Sequence, residues 1–129
     1  MSHYFENENL AISKTNITKA KIKNKSFTFK TDNNVFSKRG LDFGTRTLLE
    51  SIDENKITGK VLDIGCGYGP IGIYLATLGL EVDMCDVNKR ALLLASENCK
   101  LNNVEVNIFE SDMYKNIKTK YDYIITTPL

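Results

Sequence analysis

The chain has 129 residues, 42% hydrophobic and 26% charged, which is the composition of one soluble domain and excludes a tandem-domain enzyme. No apolar run approaches the roughly 20 residues of a membrane-spanning helix, and the opening MSHYFENENLAISKTN lacks the basic end and apolar core of a signal peptide. Cys66, Cys85 and Cys99 form no CxxC pair and His3 is the single histidine, so neither a disulfide framework nor a metal site is expected, and the expected compartment is a reducing cytoplasm.

Net charge is only +1, but the signs are segregated. Residues 1–40 hold eight basic and three acidic residues, net +5, whereas the remainder holds nine and thirteen, net −4. A basic front on an acidic body suits a polyanion partner such as RNA, met by residues 14–39; a solvated lysine-rich face is the alternative.

Residues 21–30 (KIKNKSFTFK) alternate in part through Ile22, Phe27 and Phe29, which predicts one or two short strands, with a turn at Asp32-Asn33-Asn34. Thr45 is placed to cap a helix with Leu48, Leu49 and Ile52 on its buried stripe, ending before Gly59. Residues 1–58 thus read as a short β/α extension and residues 59–129 as the core. In the core, residues 60–64 form a buried strand, a glycine cluster follows, and a helix from Pro70 to Leu78 is stopped by Gly79. Residues 80–85 are a second strand, and Asn88 caps a helix reaching Leu101, with Ala91, Leu92, Leu94, Ala95 and Cys99 on its apolar side. Residues 104–109 and 121–126 are a third and a fourth strand. Strands alternating with helices at this spacing predict an α/β fold with a doubly wound, mostly parallel sheet. Because the chain stops at Pro128-Leu129, the sheet reads as truncated after its fourth core strand. Tyr121, Tyr123, Ile124 and Ile125 are then expected on an open edge prone to self-association.

The stretch VLDIGCGYGPIG places glycines at 65, 67 and 69 between a strand and a helix, where positive backbone dihedrals and bare main chain let a nucleotide-like ligand lie close. Asp86 closes the second strand, 21 residues after Gly65, at the position from which a carboxylate accepts both hydroxyls of a ribose; a turn-starting aspartate is the plainer reading. Asp63 stands at a buried strand end, where it must accept backbone N–H groups or meet a ligand's ammonium. Asp112 follows the third strand, so the three carboxylates surround one crevice at the carboxyl ends of parallel strands. Gly67, Gly69 and Gly72 also satisfy the dinucleotide spacing GxGxxG, which keeps a dinucleotide-dependent oxidoreductase as a rival. Acidic residues beside the loop repel a pyrophosphate and favour the cationic, phosphate-free S-adenosyl-L-methionine.

VLDIGCGYG, the acidic end of MCDVN, ESDMY and YDYIITTP resemble successive motifs of class I S-adenosylmethionine-dependent methyltransferases with a Rossmann-like fold. More narrowly, NNVFSKRGLDFGTRTLL followed by GKVLDIGCGYGPIGIYLA resembles the bacterial small-subunit ribosomal RNA guanine-N(2)-methyltransferase family, and the opening HYF and KSFTFKTDNNVFS resemble the front region of its compact members. The resemblance covers the first part of such a protein. It implies a methyl donor held by Asp63, Gly65, Gly67 and Gly69, with Asp86 on the ribose and Asp112 and Met113 at the adenine. Asp42, Gly44 and Thr45 would close over the methionine end, with Phe36 and Phe43 as pocket walls or plain core. Ribosomal RNA or the small ribosomal subunit is the implied partner, and a guanine exocyclic amine the implied acceptor. The family's Asn-Pro-Pro signature is here Thr127-Pro128-Leu129, so Thr127 and Pro128 take the catalytic motif position in an incomplete acceptor site. A non-catalytic fragment that keeps cofactor or RNA binding is the alternative from another class.

Overall fold

Lys23 and Asn24 adopt φ of 50° and 84°, the left-handed geometry of a two-residue hairpin turn whose twist matches the strands it joins. A computed structural model describes residues 15–32 and 43–126. In it, β1 (Thr15–Ile22) and β2 (Lys25–Asp32) pair antiparallel, from Ile22 opposite Lys25 to Thr15 opposite Asp32. The turn therefore falls inside the run KIKNKSFTFK, and β1 begins well before it. Alternation buries Ala20, Ile22, Phe27, Phe29 and Thr31 and leaves Lys19 and Lys21 exposed.

With Ile22 and Lys25 closing the turn, the backbone groups of Thr28 and Lys30 point away from β1. Among the described residues no third strand meets them. Helix α3 (Lys89–Leu101) and its C-cap Asn102 do so with side-chain amides. Lys30 N donates to Asn98 Oδ1 at 2.7 Å and Asn98 Nδ2 donates back to Lys30 O at 2.9 Å; Asn102 exchanges the same pair with Thr28 at 3.1 and 2.8 Å. Four residues of helix rise about 6 Å and two residues of strand about 6.7 Å, so one amide per turn matches every second strand residue. Beyond them Arg90 Nε donates to the fully buried Asp32 at 2.8 Å.

The remaining elements are α1 (Phe43–Ser51), β3 (Lys60–Ile64), α2 (Pro70–Thr77), β4 (Glu81–Asp86), β5 (Asn107–Glu110) and β6 (Tyr123–Thr126). The sheet order is β5-β4-β3-β6 with every neighbouring pair parallel. From β3 the chain steps through α2 to β4 and through α3 to β5, then reverses to place β6 on the other side of β3. A right-handed return requires the connection after β5 to cross the opposite face. There Ile117 and Tyr121 pack with Leu62, Ile64, Cys85 and Phe109. Val61, Val82 and Met84 of the first face join α2, α3 and the hairpin in the main core. This is the expected α/β doubly wound arrangement, with helices on one face and a turn-rich segment on the other among the described residues.

Local boundaries differ from expectation for identifiable reasons. Thr45 lies in the first turn of α1, which begins at Phe43, and does not cap it. The third strand starts at Asn107, because Asn103 (φ 56°) and the Val104 N to Cys99 O bond still belong to the end of α3. Tyr121 precedes β6 and turns its hydroxyl onto Asp83 at 2.6 Å. In β6 itself Tyr123 and Ile124 are 40% and 48% exposed, while Ile125 packs against the core. No helix among the described residues is long and apolar enough to cross a membrane.

Helix α2 lies so close to β4 that a methyl group on Gly72 would run into the Met84 side chain and stand 3.3 Å from Asp63 Oδ2. Alanine favours a helix interior over glycine by about 1 kcal/mol. Gly72→Ala is nevertheless expected to lower the unfolding free energy in urea by roughly 1–3 kcal/mol, because the clash overpacks the layer between helix and sheet. A neutral or stabilised variant would show that the layer yields freely.

Candidate functional site

Gly65, Gly67 and Gly69 adopt φ of 71°, 58° and 104°, so the loop after β3 coils in a backbone region that other residues enter only with strain. The coil is pinned to the end of β4. Gly65 N and Cys66 N donate to Cys85 O at 2.9 and 3.0 Å, and Gly67 N donates to Asp86 Oδ2 at 2.9 Å. Asp86 Oδ1 accepts Asn88 N at 2.9 Å, and the Asp86 carbonyl accepts Ser111 N at 3.1 Å. One aspartate thus ties together all three loops at the carboxyl ends of β3, β4 and β5. Among the described residues, a side chain added at Gly65 would meet no atom within 4 Å, which leaves the main chain there bare toward a ligand.

Asp63 is 1% exposed, and its Oδ2 accepts Gly72 N at 3.1 Å. Burial pushes its carboxyl up to about 7, against the lowering pull of the Gly72 N–H and with a further push from Asp86. Burial likewise raises the Cys66 thiol well above its usual value, with Asp63 and Asp86 adding to it, and raises Cys85 and Cys99 to about 11. These are inert packing thiols rather than nucleophiles.

The same bonds bear on which cofactor the loop suits. A pyrophosphate at a helix N-terminus needs free N–H groups. In this loop Pro70 has none, the Gly72 N–H faces Asp63 and the Gly67 N–H faces Asp86. Two carboxylates already hold donors that a dinucleotide would require, which leaves a site suited to a phosphate-free, cationic ligand.

Of the residues singled out from sequence, Asp63, Gly65, Gly67, Gly69 and Asp86 come together directly. Asp112 and Met113 follow through Ser111, but both face solvent, Asp112 in an exposed ion pair with Lys115 at 3.2 Å and Met113 at φ 55°. Gly44 and Thr45 lie in α1, which packs on α2 and β1. Phe43 opens α1, whereas Phe36, Asp42, Thr127 and Pro128 lie outside the described residues. Sequence reasoning missed Ser111, whose buried hydroxyl donates to Met113 O at 2.7 Å and accepts Asn116 N at 3.3 Å. It also missed Asn98; an asparagine is unfavourable inside a helix, and that was the available signal. In the hairpin, Lys23 donates to Ile52 O and pairs with Glu54, Lys25 donates to Thr77 O at 3.2 Å, and Lys30 pairs with Glu97 at 3.1 Å. These lysines fasten the hairpin to the body, so the exposed cations of β1 are Lys19 and Lys21.

Residues 26–128 match the methyltransferase small domain family. An uncharacterized protein of Bacillus subtilis, YbxB, is 39% identical over 98% of this chain, which spans 65% of that protein's length. The Haemophilus influenzae ribosomal RNA small subunit methyltransferase C is 43% identical over 73% of this chain, matched across 29% of its own length. Among solved structures, the T. thermophilus 16S rRNA N2 G1207 methyltransferase (RsmC), in complex with AdoMet and guanosine, superposes with a TM-score of 0.82 at 27% identity, over 89% of this chain and 33% of that one. With a family match over four-fifths of its length and the glycine coil, carboxylates and parallel sheet in place, the chain belongs to the methyltransferase small domain family.

Proposed function

We propose that this chain binds S-adenosyl-L-methionine at the glycine coil and serves methyl transfer to a guanine exocyclic amine of small-subunit ribosomal RNA. The observation that carries the cofactor is the pair of carboxylates on the loop donors; the RNA and guanine follow from similarity to the Haemophilus and T. thermophilus proteins. Bound donor supplies an electrophilic methyl group on a sulfonium. Asp86 retains acceptor capacity beyond its bonds to Gly67 and Asn88 and takes the ribose hydroxyls. Asp63 faces the methionine ammonium. Gly65, Gly67 and Gly69 keep the main chain bare along the ligand, Asp112 and Met113 flank the adenine, and Asp42, Gly44 and Thr45 cover the methionine end. β6 runs parallel to β3 with Thr126 opposite Ile64, so its end is level with the start of the coil, and Thr127 and Pro128 follow in sequence. Thr127 and Pro128 take the position of the family's catalytic Asn-Pro; a threonine hydroxyl is a shorter acceptor than the asparagine amide, so the acceptor site is incomplete where positioning would supply much of the rate.

Asp86→Ala removes two hydrogen bonds to an ionised acceptor. Calorimetric affinity for S-adenosylhomocysteine should fall by about 3 kcal/mol or more, roughly two orders of magnitude. Unchanged affinity would remove Asp86 from the site.

Asp63 has a folded-state value near 7 against 3.8 unfolded, so the folded chain binds its proton more tightly. The stability this group contributes is complete below about pH 4 and is lost as pH rises toward 7, at up to about 1.4 kcal/mol per pH unit. Asp63→Asn keeps an acceptor for Gly72 N without the charge. Its stability relative to the parent should therefore climb across that window in urea unfolding at stepped pH, while donor affinity drops; parallel stability curves would show that Asp63 does not titrate there.

For RNA, changing Lys19 and Lys21 to Gln should flatten the salt dependence of ribosomal RNA binding by about 0.7–0.9 log units per lost phosphate contact. An unaltered slope would mark β1 as a solvated face.

A further inference from the structure

Among the described residues the side chain of the fully buried Asn98 makes one hydrogen bond beyond the hairpin: its Nδ2 donates to Tyr68 O at 2.8 Å, in the middle of the glycine coil, as well as to Lys30 O. Two carbonyls on one side and the Lys30 N–H on the other fix the amide's orientation without ambiguity. Asn102 is its matched counterpart, holding Thr28 in the same way and, among the described residues, bonding otherwise to its own helix at Asn98 O. A second contact runs between the same parts, since the Phe29 ring meets the Tyr68 ring edge-on at 5.6 Å between centroids. Tyr68 sits between two glycines in left-handed geometry, where the main chain has little intrinsic preference for one path. The Asn98 bond to its carbonyl adds, from the hairpin side, to the Cys85 and Asp86 contacts that hold that path.

We infer that Asn98 is a positioning residue that sets the shape of the glycine coil and couples it to the docking of the β1–β2 hairpin. Donor binding and hairpin order then reinforce each other, and coupling between two binding or ordering events is reciprocal. This rests on the coil being the donor site, a reading the experiment tests separately.

In the full chain, Asn98→Ala and Asn102→Ala each remove one hairpin bridge, and both should lower the thermal midpoint by similar amounts. Only Asn98→Ala should speed amide exchange at Gly67 and Gly69 in the free protein, and only it should weaken S-adenosylhomocysteine binding, each by about tenfold. In the unsubstituted chain, S-adenosylhomocysteine should slow exchange of the Lys30 amide more than that of Thr28. If Asn98→Ala does not fold, Asn98→Ser and the Lys30 measurement carry the test. An unsubstituted chain that does not bind S-adenosylhomocysteine overturns the donor reading, whereas the exchange comparison still judges Asn98. Equal exchange at the coil in the two variants, or ligand binding that leaves Lys30 unprotected, overturns the coupling.

Discussion

Among the described residues the outward edge of β2 satisfies its backbone groups without a third strand, and the seating of the β1–β2 hairpin follows from how it does so. Side-chain amides at 98 and 102 accept and donate as a neighbouring strand would, on a helix whose rise matches the strand's repeat. Leaving those groups buried without partners would cost about 1–3 kcal/mol each. With β2 held there, Phe27 and Phe29 face Tyr74 and Tyr68, and the hairpin becomes one wall of the main core rather than an appendage. The buried Asp32–Arg90 pair completes the seam near the start of α3. The hairpin and the glycine coil therefore share a core.

Electrostatics at the carboxyl ends works against stability in a way that suits a cationic ligand. Asp63 is shut beneath α2, where ionisation is penalised, and the glycine at 72 brings its N–H close enough to be the acceptor's partner. The same close approach seats Met84 against the helix. A larger residue at 72 would push the helix off both. Asp86 is differently placed: its side chain is half-buried and organises loop donors, so it is ordered before any ligand arrives. One carboxylate is thus poised between charged and neutral, and the other is already oriented.

Charge in the hairpin divides between two tasks. Lys23, Lys25 and Lys30 reach back to the body, against the backbone of residues 52 and 77 and against Glu54 and Glu97, while Lys19 and Lys21 face outward from the same antiparallel pair. On the far side of the sheet, Lys60, Asp83 and Tyr121 form a polar cluster at the start of the strands, with the Lys60 ammonium 5.1 Å from the Tyr121 ring centre and the Tyr121 hydroxyl on Asp83. It anchors the turn-rich crossover and lies at the opposite end of β3 from the coil.

The core's alternation of strand and helix, its parallel sheet and the glycine coil with Asp63 and Asp86 were legible in the sequence, because period, punctuation by Gly79, Asn88 and Asn102, and the buried run KVLDI are local properties of the chain. The hairpin was only half legible: alternation showed in Phe27 and Phe29, but a turn at Lys23-Asn24 needs two positive dihedrals, and only Asn24 is of a type that favours one. Which lysines are free for a partner could not be read from composition, since a lysine's reach is spent on whatever acceptor folding brings near. The role of Asn98 was hidden for the same reason, although an asparagine inside a helix marked the position. Its three partners, the amide and carbonyl of residue 30 and the carbonyl of residue 68, are main-chain groups that carry no sequence identity, and they converge only when a hairpin, a helix and a glycine coil are packed together.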